Sequence, residues 1–383
     1  MSRRLVILTE IISPYRIPLF NALAESTELE LHVIFLAETD PILRQWNVYK
    51  EEIRFSFQVL PSWRKRMGSN HILLNRGMGR ALERVQPDVI LCGGYNYAAA
   101  WQALFWARNH RVPFLLWSES HARDMRRNRP SIEFLKKSFL RLCRGFVVPG
   151  KAASDYLRGF GVDQARIFTA VNAVDNSFFG HAAKSARENE IQVRAEVGLP
   201  ERYFLFTGRL VREKGIFELL SAYAKLEDVL RRKIGVVFVG DGPCRNEIEH
   251  EAGSISTGLV RFVGFAQREQ LPNYYALAEV LILPTYTDPW GLVINEGMAC
   301  GLPIIVSDVA GCAVDLVTED WNGKIVPARY ATALAAAMRL MAEDPERRAS
   351  MALNSTKRIM HYSPQLWSAG ILDMVQKIGT CGD

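Results

Sequence analysis

The chain has 383 residues, 49% of them hydrophobic and 23% charged, with a formal net charge of +6. That length supports two or three domains with real cores, and the longest apolar runs are too short to span a bilayer. The six cysteines (Cys92, Cys143, Cys244, Cys300, Cys312 and Cys381) are scattered without a C-x-x-C pair, which argues against a structural zinc site and for a reduced, cytoplasmic chain.

The basic start "MSRRLVILTEIIS" has the look of a secretion signal, but Glu10 interrupts the apolar run and no clean cleavage site follows. It reads as a first strand, followed by the loop "IISPYRIP" and the helix "LFNALAES". Next come the strand "LELHVIFLAE", the helix "NRGMGRALERVQ", the strand "PDVILCGG", the helix "AAAWQALFWARNH" and the strand "VPFLLWSES". A basic helix then leads to the strands "GFVVPG" and "ARIFTAV". Short apolar runs alternating with helical periodicity predict a parallel sheet covered on both faces.

The polar segment "FFGHAAKSARENEIQVRAEVGLP" reads as a passage between domains. A second series follows: "YFLFTGR", a helix through "GIFELLSAYAKL", "KIGVVFVGDG", a helix at "CRNEIEHEA", "VRFVGF", a helix at "REQLPNYYALA", "VLILPTY", a helix from about 291, and "PIIVSD". The expectation is two doubly wound α/β, Rossmann-like domains facing a cleft, over residues 1–180 and 181–362. Residues 363–383 form a last helix that crosses back to the first domain, with Leu366, Ile371, Met374 and Ile378 as its apolar stripe. In such sheets ligands sit beyond the carboxyl ends of the strands, so the cleft is the default site.

Charge is uneven: residues 1–180 carry a net +9 and the rest −3. One basic cluster is Arg64, Lys65 and Arg66. Another runs from Arg123 to Arg144 and mixes Arg126, Arg127, Arg129, Lys136, Lys137 and Arg141 with Phe134, Leu135, Phe139 and Leu140. Such clusters are either a solvated basic face or a surface for anionic lipid or a phosphate-bearing substrate. No nucleic-acid-binding motif accompanies them.

The stretch "DPWGLVINEGMACGLP", residues 288–303, carries the chemistry. A buried strand empties into Asp288, Trp290 and Gly291, and the helix that follows presents unpaired amides and a positive dipole end to an anion. Carboxylates do not favour phosphate, so Asp288 and Glu296 fit the hydroxyls of sugars on either side of it. In "TGRLVREKG", Arg209 and Lys214 supply cations at a strand tip, suited to a diphosphate. The ligand this pattern implies is a nucleotide sugar.

With its "FTGRLVREKG", "VGDGP", "VRFVGF" and "LILPTYTDPWGLVINEGMACGLPIIVSD" segments, and more loosely "SPYRIPLFNALAE" and "VNAVDNSFF", the chain resembles the retaining nucleotide-sugar glycosyltransferases of the two-Rossmann-domain (GT-B) type, glycosyltransferase family 4, with an E-x7-E-like motif. The resemblance implies that Arg209 and Lys214 bind the donor diphosphate, that Glu296 binds the nucleotide ribose, and that Asp288 meets the transferred sugar. Amides around Gly291, Leu292 and Val293 would hold sugar hydroxyls and phosphate. Asp288 stands where the family has Glu, Trp290 where it has Phe, and Ala173 where "NG" is common.

Other loops offer candidates. Arg16, in "SPYRIP", is placed to meet donor phosphate or acceptor, or Pro14 and Pro18 simply shape a turn. In "SESHARD", His121 is a candidate for contacting the reacting sugar, with Glu119 as its competitor. Gly93, Gly94, Tyr95 and Asn96 shape either an acceptor pocket or a plain turn. "GDGPCR" has Arg245 in place of the third glycine of a dinucleotide fingerprint, which disfavours a nicotinamide enzyme. No metal-binding motif is evident, so no metal or cofactor is expected.

The reading is a metal-independent retaining glycosyltransferase. Arg209, Lys214, Asp288 and His121 are its catalytic candidates, and Glu296, Gly291, Leu292, Val293, Trp290 and Arg16 bind the donor. The acceptor is a lipid-linked or polysaccharide-pathway glycan, and the enzyme is cytoplasmic and peripheral on the inner face of an anionic membrane. The alternatives are a soluble small-molecule acceptor, a sugar-nucleotide epimerase or hydrolase, and a non-catalytic binder.

Overall fold

The computed structural model describes residues 2–40, 44–67, 70–123 and 130–380. The chain divides into two compact units. One comprises Met1–Ser120, Arg126–Asn172 and Pro364–Asp383, the other His121–Met125 and Ala173–Ser363. The division thus falls at Asn172, eight residues before the expected boundary.

The first unit contains β1 (Arg3–Thr9), α1 (Ile17–Ala24), β2 (Leu29–Phe35), β3 (Ser56–Val59), β4 (Ser62–Met67), β5 (Asn70–Asn75), α2 (Met78–Val85), β6 (Val89–Cys92), α3 (Ala98–Asn109), β7 (Phe114–Trp117), α4 (Pro130–Leu142), β8 (Gly145–Val148), α5 (Lys151–Gly159) and β9 (Ile167–Thr169). Seven strands form a parallel sheet in the order β3-β2-β1-β6-β7-β8-β9. The strand β6 is buried at every position, as are β7 and β8, because helices cover both faces. Strands β4 and β5 pair separately as an antiparallel hairpin. The sequence reading had taken this segment only as a basic cluster.

The second unit contains α6 (Asn176–Glu188), α7 (Glu190–Val197), β10 (Tyr203–Thr207), α8 (Ile216–Ala224), α9 (Asp228–Arg231), β11 (Gly235–Val239), α10 (Arg245–Ala252), β12 (Val260–Gly264), α11 (Leu271–Ala276), β13 (Val280–Leu283), α12 (Leu292–Ala299), β14 (Ile304–Ser307), α13 (Ala313–Leu316), β15 (Gly323–Val326), α14 (Ala331–Glu343) and α15 (Pro345–Ile359). Its six strands are parallel in the order β12-β11-β10-β13-β14-β15. The strand order reverses between β10 and β13, which creates a crevice at the carboxyl ends of these two parallel strands.

The polar passage and the last helix each depart from the sequence reading in one respect. The polar passage at 178–200 is mostly helix. The Asp175 carboxylate caps α6 by accepting from the Phe178 amide at 2.9 Å, and Phe179, Ala183 and Ala186 face the core of the second unit. The last helix, α16 (Pro364–Thr380), belongs to the first unit. It packs on α1 with Trp367, Ile371, Met374 and Ile378 buried, whereas Leu366 of the expected stripe is exposed. The Trp367 ring lies 5.6 Å from Phe20 and 5.4 Å from Trp117.

Trp367→Ala should therefore cost about 3–5 kcal/mol in urea denaturation of the full chain, the usual range for emptying a buried aromatic site. Leu366→Ala should be close to neutral.

Candidate active site

The site of the second unit is built from the two loops that leave β10 and β13. The first runs from Gly208 into a 3-10 turn at Arg212–Lys214 and ends at Gly215, where φ is +70°. A Cβ on Gly215 would lie 1.9 Å from the Pro284 carbonyl oxygen, so only glycine lets the first loop pass so close to the end of β13. The second loop is laced to it. The Glu213 carbonyl accepts from the Tyr286 amide at 2.7 Å, and the Thr285 hydroxyl lies 2.9 Å from the same oxygen. Ser307, at the end of β14, donates to the Thr285 carbonyl at 2.7 Å.

This lacing brings Lys214 to Asp288. The ammonium donates to Asp288 Oδ2, with both side chains largely buried. The Asp288 backbone is held as firmly. Its carbonyl accepts from the Gly311 amide at 3.0 Å and from His121 Nε2 at 2.9 Å. His121 Nδ1 in turn lies 3.3 Å from the Arg123 amide. These contacts assign the neutral imidazole with its proton on Nε2. Both ring nitrogens are thereby engaged with backbone, so His121 acts on the loop that carries Asp288 instead of presenting a free nitrogen.

Gly291, with φ at +99°, is the N-cap of α12, and Leu292 and Val293 occupy the helix's first positions, where amides have no intrahelical acceptor. Trp290, a donor-binding candidate by sequence, turns its side chain inward. Its ring is buried in the core of the unit, and its indole N–H donates to Asn295 Oδ1 at 2.9 Å. Arg209 is exposed at the tip of β10.

In the first unit, Arg16 is likewise committed. Its guanidinium donates to Glu119 Oε1 at 2.8 Å and stacks 3.9 Å from the Trp117 ring centroid. Asn172 donates to the same oxygen at 3.3 Å, so Glu119 belongs to this cluster. Among the described residues, no group of three or more His, Cys, Asp or Glu side chains is arranged to hold a metal ion.

The family model for glycosyl transferases group 1 matches residues 188–358, and the model for glycosyltransferase family 4 matches residues 19–178. The chain belongs to these glycosyltransferases. It is 31% identical over 233 residues to D-inositol 3-phosphate glycosyltransferase 2 of Catenulispora acidiphila, a stretch covering 57% of this chain and 51% of that one. It is 33% identical over 181 residues to alpha-D-kanosaminyltransferase of Streptomyces kanamyceticus, covering 46% and 45%. The matched stretch thus spans about half the length of these curated relatives. The solved structure of Anabaena Alr3699/HepE in complex with UDP has the same fold, with a TM-score of 0.73 at 16% identity over 98% of this chain and all of that one.

The second acid, Glu296, sits on α12 beside a residue the sequence did not single out. Tyr275, fully buried on α11, donates its hydroxyl to Glu296 Oε2 at 2.6 Å. Burial pushes the Glu296 carboxyl up to about 7, and the Tyr275 hydrogen bond partly opposes that rise. The Cys300 thiol, one turn on, is pushed up by its own burial and by the Glu296 charge. No motif marks Tyr275; only its helical position opposite α12 would have found it.

Lys214→Ala leaves the Asp288 carboxylate without its cation in a nearly closed position, which should cost about 1–3 kcal/mol in denaturant melts, and Asp288→Asn in the same chain should restore part of the loss. Arg209→Ala, made at an exposed position, should leave stability unchanged. Glu296 has a folded-state value above its unfolded one, so it weakens the fold as pH rises from the unfolded value through about 7. Glu296→Gln should therefore melt progressively higher than the parent between about pH 4 and pH 8; a constant gap would refute the buried, shifted carboxyl.

Proposed function

We propose that the protein is a retaining glycosyltransferase that moves a sugar from a nucleoside-diphosphate donor to a lipid-linked or polysaccharide-pathway glycan, working at the inner face of a membrane. The observation that carries this reading is the meeting of Lys214, Asp288 and the first amides of α12 at the crevice between β10 and β13. An ammonium and unpaired amides suit a leaving diphosphate, and an adjacent carboxylate suits a sugar hydroxyl.

In this reading Lys214, Arg209 and the amides at Leu292 and Val293 stabilise the negative charge that develops on the leaving phosphate, and no metal is needed. Asp288 accepts from hydroxyls of the transferred sugar, and its carbonyl bonds to Gly311 and His121 hold it in place. Glu296, oriented by Tyr275, accepts from the ribose. No carboxylate is assigned to attack the anomeric carbon. The acceptor therefore approaches the face from which the diphosphate departs, and the donor's own phosphate takes the acceptor proton. Arg16, Glu119 and Trp117 form an acceptor-side cluster on the first unit. That the Anabaena relative was solved with UDP supports a nucleoside diphosphate as ligand.

One observation favours a second reading of the acceptor: the relative from Catenulispora is named for D-inositol 3-phosphate, a soluble acceptor. Among the described residues no helix is long and apolar enough to cross a membrane, which fits either.

A panel of nucleoside diphosphates, screened by thermal shift, tests the donor site. One of them should raise the melting temperature through mass action, and the shift should shrink in Lys214→Ala and in Glu296→Ala. With the matching donor, loss of Lys214 should lower turnover on the order of 100-fold. Product of inverted anomeric configuration would sink the retaining assignment, and a full thermal shift in both variants would sink the donor site.

A further inference from the structure

Helices α2, α3 and α4 share one core cluster with Leu73 of the hairpin, so they cover the same face of the first sheet. Helix α3 packs between α2 and β5, and its Trp101 lies 4.9 Å from Phe139 of α4. The outward side of this layer is unusual. In the hairpin, Trp63 pairs across from Leu74 and Lys65 from Ile72, and all four are exposed, while Arg64 and Leu73 on the opposite face are turned in. Phe105 of α3 is 53% exposed, and Phe134 and Leu135 of α4 are 70% and 52% exposed.

Cations run through the same surface. Arg108 follows Phe105 by three positions on α3, and Lys137 and Arg141 follow Phe134 by three and seven on α4, which places each set on one helix face. Arg80 of α2 is exposed as well. Arg80, Arg108 and Arg141 have no ion-pair partner among the described residues. The exposed acids are Glu83 on α2 and Glu133, which pairs with Lys137 at 3.5 Å.

We infer that this outer face, formed by the hairpin and helices α3 and α4, is the surface by which the protein docks on an anionic lipid bilayer. The inference rests on the membrane location proposed above and redraws its surface: of the basic segment that first suggested it, Phe134, Leu135, Lys137 and Arg141 are kept. Arg126, Arg127 and Arg129 lie outside the described residues, and Lys136 is buried, with its ammonium 4.0 Å from the Tyr156 ring centroid and hydrogen-bonded to the hydroxyl.

The composition decides the occupant. A hydrated polyanion would use the arginines but gain nothing from Trp63, Phe105 and Phe134. A second copy of the chain would set like charges against one another in a self-complementary contact. An anionic leaflet uses both: aromatic and aliphatic side chains enter the boundary of the acyl chains while the basic heads stay among the phosphates.

The test is co-sedimentation of the full chain with vesicles of phosphatidylcholine alone or mixed equally with phosphatidylglycerol. Binding should require phosphatidylglycerol and weaken from about 0.1 M to about 1 M salt. The triple variant Trp63→Ser, Phe105→Ser, Phe134→Ser should bind at least about tenfold more weakly. So should Arg108→Glu with Arg141→Glu, which alters no apolar contact. The control Val229→Ser with Leu259→Ser, which removes exposed apolar groups from the second unit, should bind like the parent. Nucleoside-diphosphate thermal shifts, read on the same proteins, should be unchanged, so failure of the donor site and failure of the docking surface give different patterns. The inference is overturned if the parent binds neither vesicle, binds both equally, or if the triple serine variant binds as well as the parent.

Discussion

The site depends on one carboxylate being held in a nearly closed place. Taking the Asp288–Lys214 pair out of water carries a desolvation cost, which the contact repays only when its geometry is fixed. The fixing comes from backbone. Gly215 lets the first loop cross the end of β13, the Glu213 carbonyl ties it to Tyr286, and Gly311 and His121 clamp the Asp288 carbonyl. With Asp288 on Lys214 the pair is close to neutral overall, and beside it stand the first amides of α12, which have no intrahelical acceptor. The arrangement lies where the strand order reverses, because only there do loops leaving adjacent strands run to opposite sides and leave a crevice between them.

Glu296 shows the opposite balance. Among the described residues it has no cation, its hydrogen bond comes from the Tyr275 hydroxyl, and burial drives its carboxyl up to about 7. A glutamine would avoid the desolvation cost but lose the charge that makes a strong acceptor for hydroxyls. A group kept at such a cost to stability is what a binding role would explain. Tyr275 settles which way one carboxylate oxygen points; the other is left available.

The parts that were legible in the sequence share a physical reason. Strands such as "YFLFT" and "VLIL" are buried on both faces, so they read as unbroken apolar runs, and the residues just after them fall at the strand tips by topology alone. That is how Lys214 and Asp288 could be named before their contact was seen. What periodicity cannot supply is side-chain direction within a loop. His121 and Trp290 lie in the expected segments, yet one bonds to backbone through both nitrogens and the other turns into the core. Helix α6 was missed because its buried face is largely alanine, which adds little apolar signal among the surrounding charges. The hairpin was missed because its basic residues dominated the reading and hid the period-two alternation of Trp63 and Lys65 against Arg64.

Net charge misled for a related reason: it counts cations without regard to their partners. Much of the excess in the first unit is spent internally. Arg64 is paired with Asp40 and lies 3.7 Å from Glu10, Arg16 is held by Glu119, Arg166 donates to the carbonyls of Cys143 and Arg144, and Lys136 is enclosed by aromatic rings. Arg64 and Arg16 are neutralised by carboxylates, and Arg166 and Lys136 are held against neutral partners within the unit. Arg80, Arg108 and Arg141, which have no ion-pair partner among the described residues, lie on the helical layer beside exposed Phe105 and Phe134. A sum of charges over the sequence points to half a molecule; subtracting the committed cations narrows that to one face.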